Sequence, residues 1–323
     1  MKAAIRRKYG PPDRLTIETI ARPNPGDHEI LVQVKAVTIS RTDCAVQRGY
    51  PLAVRIFTGI FRPGRPIPGT DFAGIVVETG AKVTRFKTGD RVFGFDDTGL
   101  SSHAGYLTIS ENKAVLEMPA NCSFETAAAS MEGFHYALNF VNKVHFMPGQ
   151  KVMLNGASGG IGSAMLQILQ SRGAVITATA RSEAFPALKA LGATRLLDYE
   201  KEDFTRLDER FDYVFDAVGK SSFGRCRRLL VPKGVYISSE LGRGWQNLFL
   251  ALFTPIFGGK KVVFPVPFDI PGSLQTVKTM IEKGQFKPLI DRVFTLEKII
   301  EAYVYVESGQ KLGNVVVVMD EAG

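Results

Sequence analysis

The chain has few of the residues on which disulfide-stabilised or metal-rich domains depend. Only three cysteines (Cys44, Cys122 and Cys226) occur among 323 residues, and no two of them form a CxxC motif. An odd, scattered set excludes a disulfide framework and favours a reducing compartment, so we expect a cytoplasmic protein. The four histidines do not show the paired spacing that metal sites use.

The sequence also has no long hydrophobic run. The longest apolar stretch outside the predicted strands, residues 248–257, is about half the length of a membrane-spanning helix, and Pro255 interrupts it. The first residues, MKAAIRRKYG, contain no apolar core of signal-peptide length. We therefore expect neither a membrane span nor a cleaved leader.

The composition indicates an ordinary globular protein. Hydrophobic residues make up 45% of the chain and charged residues 22%, and the net charge is +8 with a pI near 9.3. A chain of this length buries a sizeable core and divides into about two domains. The positive charge permits contact with nucleic acid, but no basic and aromatic platform accompanies it, so we expect no nucleic-acid partner.

The hydrophobic pattern changes along the chain. Before about Ser123, short β-strands between Gly-containing turns predict a barrel-like β unit. From Lys151, strands alternate with helices, which predicts a parallel, doubly wound sheet. After Pro265, two amphipathic helices precede a last strand, Asn314–Met319. The predicted fold class is therefore α/β.

A glycine-rich turn connects the first strand of the alternating region, Lys151–Asn155, to a helix. Ala157, Gly159 and Gly162 fit the form A-x-G-x-x-G. In this form the central glycine lets a pyrophosphate approach the backbone, and the last glycine lets the helix pack on the strand. The strand–turn–helix context predicts dinucleotide binding, and the alternative is a tight turn without a ligand. The predicted contacts in the turn are Ala157, Ser158, Gly159, Gly160, Ile161 and Gly162.

The end of the second strand indicates which dinucleotide binds. NAD sites usually place an acidic residue about 20 positions after the glycine turn, where it holds the ribose 2′-hydroxyl. Here that position is Thr179, and Arg181 follows. The missing carboxylate and the arginine favour a 2′-phosphate and therefore NADPH, with Tyr199 as a further contact. Glu183 counts against this interpretation, and surface roles remain the alternatives for Arg181 and Tyr199.

Five segments spread along the chain carry a family resemblance: VTISRTDCAVQRG, IPGTDFAGIVVETG, GQKVMLNGASGGIG, FDYVFDAVGK and FKPLIDRVFTLEKIIEAYVYVESGQKLGNVVVV. They resemble the medium-chain dehydrogenase/reductase superfamily, and most of all its zinc-independent quinone oxidoreductase-like branch. The resemblance covers nearly the whole chain. It implies a GroES-like β-barrel catalytic domain (residues 1–123 and 266–323), a Rossmann nucleotide-binding domain (residues 124–265) inserted into it, and a homodimer.

The resemblance also bears on metal. Zinc alcohol dehydrogenases of the same superfamily take catalytic zinc on a Cys, a His and a second Cys, and these positions correspond here to Ser40, Thr70 and Glu132. A structural lobe with four cysteines is missing too, since no cysteine lies between Cys44 and Cys122. Without thiolate and imidazole no tetrahedral ligand set remains, so we expect no metal. A zinc alcohol dehydrogenase is the weaker alternative.

A site without a metal has to stabilise a developing oxyanion with hydrogen bonds, which suits conjugated acceptors better than isolated ketones. The resemblance places Ser40 and Thr70 at the nicotinamide, and it matches Thr42 to a proton-relay hydroxyl and Tyr50 to an aromatic side chain of the substrate pocket. For each of these four residues, the alternative is that the side chain only lines the pocket and that solvent donates the proton. Further cofactor contacts that the resemblance implies are Ser239 and Leu241.

These observations predict an oxidoreductase that transfers hydride from NADPH to a quinone or an α,β-unsaturated carbonyl, with a small apolar molecule as its partner. The alternative from another class is an NADPH-binding protein with little turnover, in a sensor, structural or RNA-binding role. Two features stay open. The arginines of residues 41–65 form either a basic lid or a solvated face. The aromatic stretch 245–257 lines a pocket, touches a membrane surface, or forms a buried helix or a dimer-contact face.

Overall fold

The computed structural model describes residues 1–238 and 240–319, so the predicted cofactor contact Ser239 lies outside the described residues. The strands are β1 (Lys2–Arg6), β2 (Leu15–Thr19), β3 (Glu29–Ile39), β4 (Asp71–Thr79), β5 (Arg91–Phe95), β6 (Tyr106–Ser110), β7 (Val115–Glu117), β8 (Lys151–Asn155), β9 (Val175–Ala180), β10 (Arg195–Asp198), β11 (Phe211–Asp216), β12 (Leu230–Ser238), β13 (Lys261–Val263), β14 (Ile290–Thr295) and β15 (Asn314–Val318). The helices are α1 (Arg41–Arg48), α2 (Val54–Thr58), α3 (Phe124–Ala129), α4 (Glu132–Val141), α5 (Gly160–Ser171), α6 (Phe185–Ala190), α7 (Phe223–Cys226), α8 (Gln246–Phe253), α9 (Ile270–Glu282) and α10 (Ile299–Glu307).

The chain divides into two compact units. The first unit consists of Met1–Glu132 with Asp269–Gly323, and the second is Gly133–Phe268. The sequence placed the domain limits at 123/124 and 265/266, so the largest difference concerns residues 124–132. This segment contains α3, whose buried alanines allow the helix to lie close against β3, β4 and β15 of the first unit.

A seven-stranded sheet forms the frame of the first unit. Its order is β14-β15-β3-β4-β5-β7, with β6 also paired to β3. β14 and β15 run parallel, and the other pairs are antiparallel. Buried side chains of β3 share one core with Ile299, Tyr303 and Val306 of α10, which explains why the C-terminal segment belongs to this unit. β1 and β2 pair separately as an antiparallel two-stranded sheet.

The second unit contains a six-stranded, wholly parallel sheet. Its order is β10-β9-β8-β11-β12-β13. Counted from the first strand of the unit, this order is 3-2-1-4-5-6, which is the order of a doubly wound dinucleotide-binding sheet. The predicted parallel sheet is therefore confirmed. The strand order reverses between β8 and β11, and such sheets bind ligands at the carboxyl ends of the strands at that point.

Local structure departs from the sequence-based prediction in two places. A single helix was predicted over 124–144, but the structure has α3 and α4, because the Ser130 hydroxyl donates to the carbonyl of Thr126 (2.6 Å) where α3 ends. Such back-bonding by serine competes with continued helix. The strand β14 was not predicted, since its exposed Arg292 and Val293 give no clear alternation.

The aromatic stretch before β13 lies at the surface of its unit. Trp245, Phe249, Phe253 and Phe257 are each at least 54% exposed, so the interpretation of a buried helix does not hold for these side chains. Large apolar side chains exposed together mark a contact surface more often than a solvated face. In the described part of the chain, every helix is too short or too polar to cross a membrane.

Candidate functional site

The glycine-rich turn joins β8 to α5 at the carboxyl edge of the parallel sheet. A Cβ at position 162 would lie 2.1 Å from the carbonyl oxygen of Gly156, so only glycine lets the helix start this close to the strand. At Gly159, the N-cap of α5, a Cβ would meet nothing within 4 Å. The turn is therefore open at the point where the first N–H groups of the helix lack partners within the helix, which is the geometry of a phosphate cradle.

Thr179, a predicted cofactor contact, is bonded to the strand end and the glycine turn beside it. Its side chain is fully buried, and its hydroxyl donates to Oδ1 of Asn155 (2.7 Å) while accepting from the backbone N–H of Gly156 (2.9 Å). Asn155 in turn donates to Oδ1 of Asp216 (2.9 Å), which links the ends of β8 and β11. These bonds hold the glycine turn in place from its buried side, and a cofactor contact by Thr179 stays a prediction.

Three further predicted contacts follow the carboxyl ends of their strands. Arg181 comes directly after β9 and is half-buried, and Tyr199 comes directly after β10 and is 50% exposed. Asp198 pairs with Ala180 in the sheet register, so Arg181 and Tyr199 begin neighbouring loops at one edge of the sheet. Leu241 follows β12 and is 38% exposed.

In the first unit, the predicted hydroxyl of Ser40 is already in use. Ser40 is the N-cap of α1, and its Oγ accepts from the backbone N–H of Asp43 (3.1 Å). The carboxylate of Asp43 accepts from both the N–H and the hydroxyl of Ser40 (2.9 Å each). This reciprocal capping box stabilises the first turn of the helix, and the Ser40 side chain also hydrogen-bonds the carboxyl of Glu132, so the catalytic role of Ser40 stays a prediction.

Thr42 lies in the first turn of α1, and its side chain contacts a carboxyl group. Its hydroxyl donates to Oε1 of Glu132 (2.9 Å). Removal from water, together with the nearby carboxylates of Asp43 and Asp71, raises the pKa of Glu132 to about 8, against the opposing effect of hydrogen bonds from Thr42 and Ser40. The ammonium group of Lys311 interacts favourably with Glu132, while burial lowers the pKa of Lys311. A carboxylic acid that stays largely protonated at neutral pH is suited to proton donation.

Thr70 and Asp71 lie side by side at the start of β4. Thr70 is 9% exposed, and its hydroxyl has no hydrogen-bond partner among the described residues. Asp71 is buried and accepts hydrogen bonds from the backbone N–H (2.7 Å) and the hydroxyl of Thr38. Burial raises the pKa of Asp71 to about 7, against the opposing effect of these hydrogen bonds.

Tyr50 and the arginines near it lie mainly at the surface of the first unit. Tyr50 is 70% exposed. Two of the arginines of residues 41–65 make contacts within the unit: Arg48 binds the carboxylate of Glu307 through Nε (2.5 Å) and Nη2 (2.6 Å), and Arg55 stacks over the ring of Tyr9 at 4.7 Å. These contacts favour a structured surface over a basic lid.

Sequence reasoning missed two carboxyl groups. Glu132 was considered only as a lost metal ligand, and Asp71 was not considered at all. The signal available for Asp71 was its place directly after Thr70 in the segment IPGTDFAG. For Glu132 no local signal exists, because its raised pKa depends on burial and on the carboxylates of Asp43 and Asp71, which are distant in sequence.

The residues at the zinc-ligand positions do not fit a zinc ion. Ser40 is held in a capping box, and Thr70 offers a neutral hydroxyl in place of an imidazole. Glu132 is the one carboxyl among them, and structural and catalytic zinc sites need at least three protein ligands. Within residues 1–238 and 240–319, no three His, Cys, Asp or Glu side chains are grouped so that they would hold a metal.

Comparisons with known proteins agree with this architecture. A family model described as an alcohol dehydrogenase GroES-like domain matches residues 26–122, and one described as a zinc-binding dehydrogenase matches residues 191–317. A 2-methylene-furan-3-one reductase of Solanum lycopersicum is 28% identical, over 98% of this chain and 79% of its own length. A chloroplastic NADPH-dependent alkenal/one oxidoreductase of Arabidopsis thaliana is 27% identical, over the same shares of both chains. The quinone oxidoreductase structure from Coxiella burnetii has the same fold, with a TM-score of 0.85 at 23% identity over 98% of this chain and 99% of that one.

Proposed function

Because the chain belongs to the medium-chain dehydrogenase/reductase superfamily, in its quinone oxidoreductase-like branch, we propose that it is a zinc-independent, NADPH-dependent reductase of quinones or α,β-unsaturated carbonyls. The observation that carries this proposal is the open glycine turn at the point where the order of the parallel sheet reverses. Bound there, NADPH would supply the hydride that the reaction needs. The named activities of the relatives are reductions of the same kind.

The residues around the glycine turn fit the parts of this cofactor. The backbone of residues 157–162 offers N–H groups and an uncrowded approach to the pyrophosphate. Arg181 and Tyr199 begin adjacent loops, where a guanidinium and a phenol hydroxyl suit a 2′-phosphate. Leu241, and Ser239 outside the described residues, are proposed near the nicotinamide on the family resemblance alone.

We infer that Glu132 and Thr42 supply the proton in this reaction. In the structure the Thr42 hydroxyl donates to Glu132; when this hydroxyl turns to an oxyanion that forms on the substrate, Thr42 donates its proton, and protonated Glu132 replaces that proton across the same 2.9 Å contact. Thr70 offers a second hydroxyl for the same oxyanion, one without a hydrogen-bond partner in the part of the chain that the structure describes. Tyr50 is exposed and is proposed only as part of the substrate entrance.

The test is NADPH oxidation by the purified, metal-free protein, with 1,4-naphthoquinone and (E)-pent-3-en-2-one offered separately. Reduction of either acceptor at a rate well above that of the buffer supports the proposal, and the preferred acceptor defines the chemistry. Demonstrated NADPH binding with no reduction of any quinone or enone in a panel of each class would contradict it.

A homodimer is a further part of the proposal. β13 is an edge strand of the parallel sheet, and the exposed aromatic side chains of residues 245–257 precede it directly. An edge strand beside an apolar surface favours pairing with a second copy through a two-fold axis. Light scattering should give twice the chain mass for the wild type and a lower mass for Phe257→Asp.

We also propose that the protein acts in the cytoplasm. All three cysteines are free and buried, which suits a reducing compartment. Fractionation of cells that express a tagged chain would test this location, and enrichment in an organelle or a secreted fraction would contradict it.

A further inference from the structure

A cavity of about 490 Å³ lies within the first unit, which is the size of many small-molecule sites. Its polar lining includes Arg6, Asp43 and Thr70. Val46 and Ile67 contribute apolar surface to it. The cavity therefore combines one buried cation and a hydroxyl with surface that suits a short hydrocarbon chain.

Arg6 is the unusual member of this lining. It is the last residue of β1, it is only 4% exposed, and its backbone N–H donates to the carbonyl of Pro66 (2.6 Å). The side-chain Nη2 reaches the carbonyl of Arg65 at 3.4 Å, but Nε and Nη1 have no hydrogen-bond partner among the described residues. Buried arginines are normally paired, because unsatisfied charged donors cost more than neutral ones.

The cavity is also lined by the carboxylates of Asp43 and Asp97, and neither is a hydrogen-bond partner of Nε or Nη1 of Arg6 among the described residues. Asp43 acts on Arg6 only through its charge at longer range, and burial still lowers the pKa of Arg6. The carboxylate of Asp43 is engaged by the N–H and the hydroxyl of Ser40 at the start of α1. Asp43 thus balances part of the Arg6 charge and leaves the two nitrogens available to another acceptor.

Thr70 offers a second open group in the same cavity. Its buried hydroxyl also lacks a partner among the described residues. A ligand with two separate oxygen functions, one anionic and one carbonyl, would satisfy the guanidinium and the hydroxyl together. The apolar side chains Val46 and Ile67 would contact the carbon atoms between the two functions.

We propose that this cavity binds the carboxylate of a short keto acid through Arg6, with the keto oxygen directed to Thr70. Resting on the proposed reductase function, this assigns the physiological substrate to the class of α,β-unsaturated carbonyl compounds that carry a carboxylate. Arg6 then determines which substrates bind, and it acts at the binding step, before any chemical step.

Binding can be tested without turnover. The probes are 4-oxopentanoate and pentan-2-one, which share a methyl ketone and differ in the carboxylate, titrated calorimetrically into the wild type and into Arg6→Met. Arg7→Met is the matched control, because Arg7 is the next residue, is 65% exposed and binds Glu18 instead. We expect the wild type and Arg7→Met to bind the keto acid at least tenfold more tightly than the ketone, and Arg6→Met to lose this difference.

A structural role of Arg6 would give a different result. Removing a buried charge whose Nε and Nη1 lack partners among the described residues should leave the free energy of unfolding of the unliganded protein unchanged or raise it. A marked loss of stability in Arg6→Met, together with equal keto-acid affinity in the wild type and Arg6→Met, would overturn the proposal. Equal affinity of the wild type for the two probes would also overturn it.

The reductase function and this inference can fail separately. With NADPH present, the ratio of kcat/KM for (E)-4-oxopent-2-enoate over (E)-pent-3-en-2-one should fall at least tenfold in Arg6→Met and stay constant in Arg7→Met. An unchanged ratio in a protein that reduces both enones would contradict the carboxylate site and leave the reductase function intact. Arg6-dependent binding of 4-oxopentanoate without reduction of either enone would support the site and count against the reductase function.

Discussion

The hydroxyl of Thr42 donates a 2.9 Å hydrogen bond to Oε1 of Glu132, although 90 residues separate the two in sequence. Thr42 lies in the first turn of α1, and Glu132 begins α4. The contact couples a neutral hydroxyl to a carboxyl whose pKa is raised to about 8 by removal from water and by the nearby Asp43 and Asp71. At neutral pH the Glu132 carboxyl is therefore largely protonated and lies beside a hydroxyl.

Substitution of Glu132 should alter the pH dependence of reduction. The protonated form of Glu132 dominates below its pKa, so proton donation should weaken as the pH rises through about 8. We expect Glu132→Gln to lower kcat by about 10–100-fold at pH 7 and to remove the alkaline decline near pH 8. Thr42→Val should also lower kcat, because it breaks the 2.9 Å hydrogen bond between the Thr42 hydroxyl and this carboxyl.

The control for this measurement is Glu125→Gln, which removes a carboxyl from the neighbouring helix α3. Its pH–rate profile should match that of the wild type. The groups that act on Glu132 are Asp43, Asp71 and Lys311, so each must be intact in the compared variants. An alkaline limb that persists in Glu132→Gln would assign the observed pKa to another group.

Two glycines of the nucleotide turn should respond differently to alanine. A Cβ at position 162 would lie 2.1 Å from the carbonyl oxygen of Gly156 and 2.8 Å from Cα of Ala157, and neither backbone atom can move aside cheaply. We expect Gly162→Ala to lower the free energy of unfolding by about 1–3 kcal/mol. At Gly159 the new methyl group would meet no protein atom within 4 Å, so the fold should tolerate it.

The informative result is the affinity of Gly159→Ala for NADPH. Its methyl group would occupy the open face of the turn, where the backbone is expected to meet the pyrophosphate. Calorimetry should show at least a tenfold weaker affinity with an unchanged melting temperature. Unchanged affinity would mean that the pyrophosphate does not approach Gly159.

The choice between NADPH and NADH should depend on Arg181. A charge-assisted hydrogen bond to a phosphate contributes about 1.5–3 kcal/mol, so Arg181→Ala should weaken NADPH binding at least tenfold and NADH binding less than threefold. Arg195→Ala is the control. Arg195 is the first residue of β10, so it lies at the amino ends of the parallel strands, and it pairs with Glu209 at 3.6 Å. Equal losses for both cofactors in Arg181→Ala would remove this residue from the 2′-phosphate site.

The parallel sheet was predictable because its signals are local. Each strand is a short apolar run followed by a turn and a helix, and the glycine turn has fixed spacing. The role of Thr179 was not predictable in the same way. Its position suggested the ribose, but its burial under the turn depends on the approach of Asn155 and Gly156 from another strand.

The first unit was harder to predict for a related reason. Its carboxyl groups acquire their properties from residues that are far apart in sequence, such as Thr38 with Asp71 and Thr42 with Glu132. Neither the hydrophobic periodicity nor the motif spacing of the sequence indicates that these residues are in contact. Likewise, nothing in the sequence distinguishes buried Arg6 from exposed Arg7, since the difference arises only when β1 is placed against the rest of the unit.

Asp71 should make the stability of the protein depend on pH in an unusual direction. Burial raises its pKa from the ordinary 3.8 to about 7 in the folded protein. Between these values the folded state holds a proton that the unfolded state releases, so the free energy of unfolding should fall as the pH rises from about 4 to 7 and change little above 7. Most buried carboxyls that form ion pairs have the opposite effect.

Asp71→Asn isolates this contribution, because asparagine is isosteric and can still bond to the backbone N–H and the hydroxyl of Thr38. Urea unfolding at pH 5 and pH 8 should show a fall in stability that is about 1–3 kcal/mol smaller in Asp71→Asn than in the wild type. Asp13→Asn, at an exposed position of the same unit, should keep the wild-type fall. An equal fall in all three proteins would mean that Asp71 is ionised in the folded state, and its hydrogen bonds with Thr38 would then outweigh the cost of its burial.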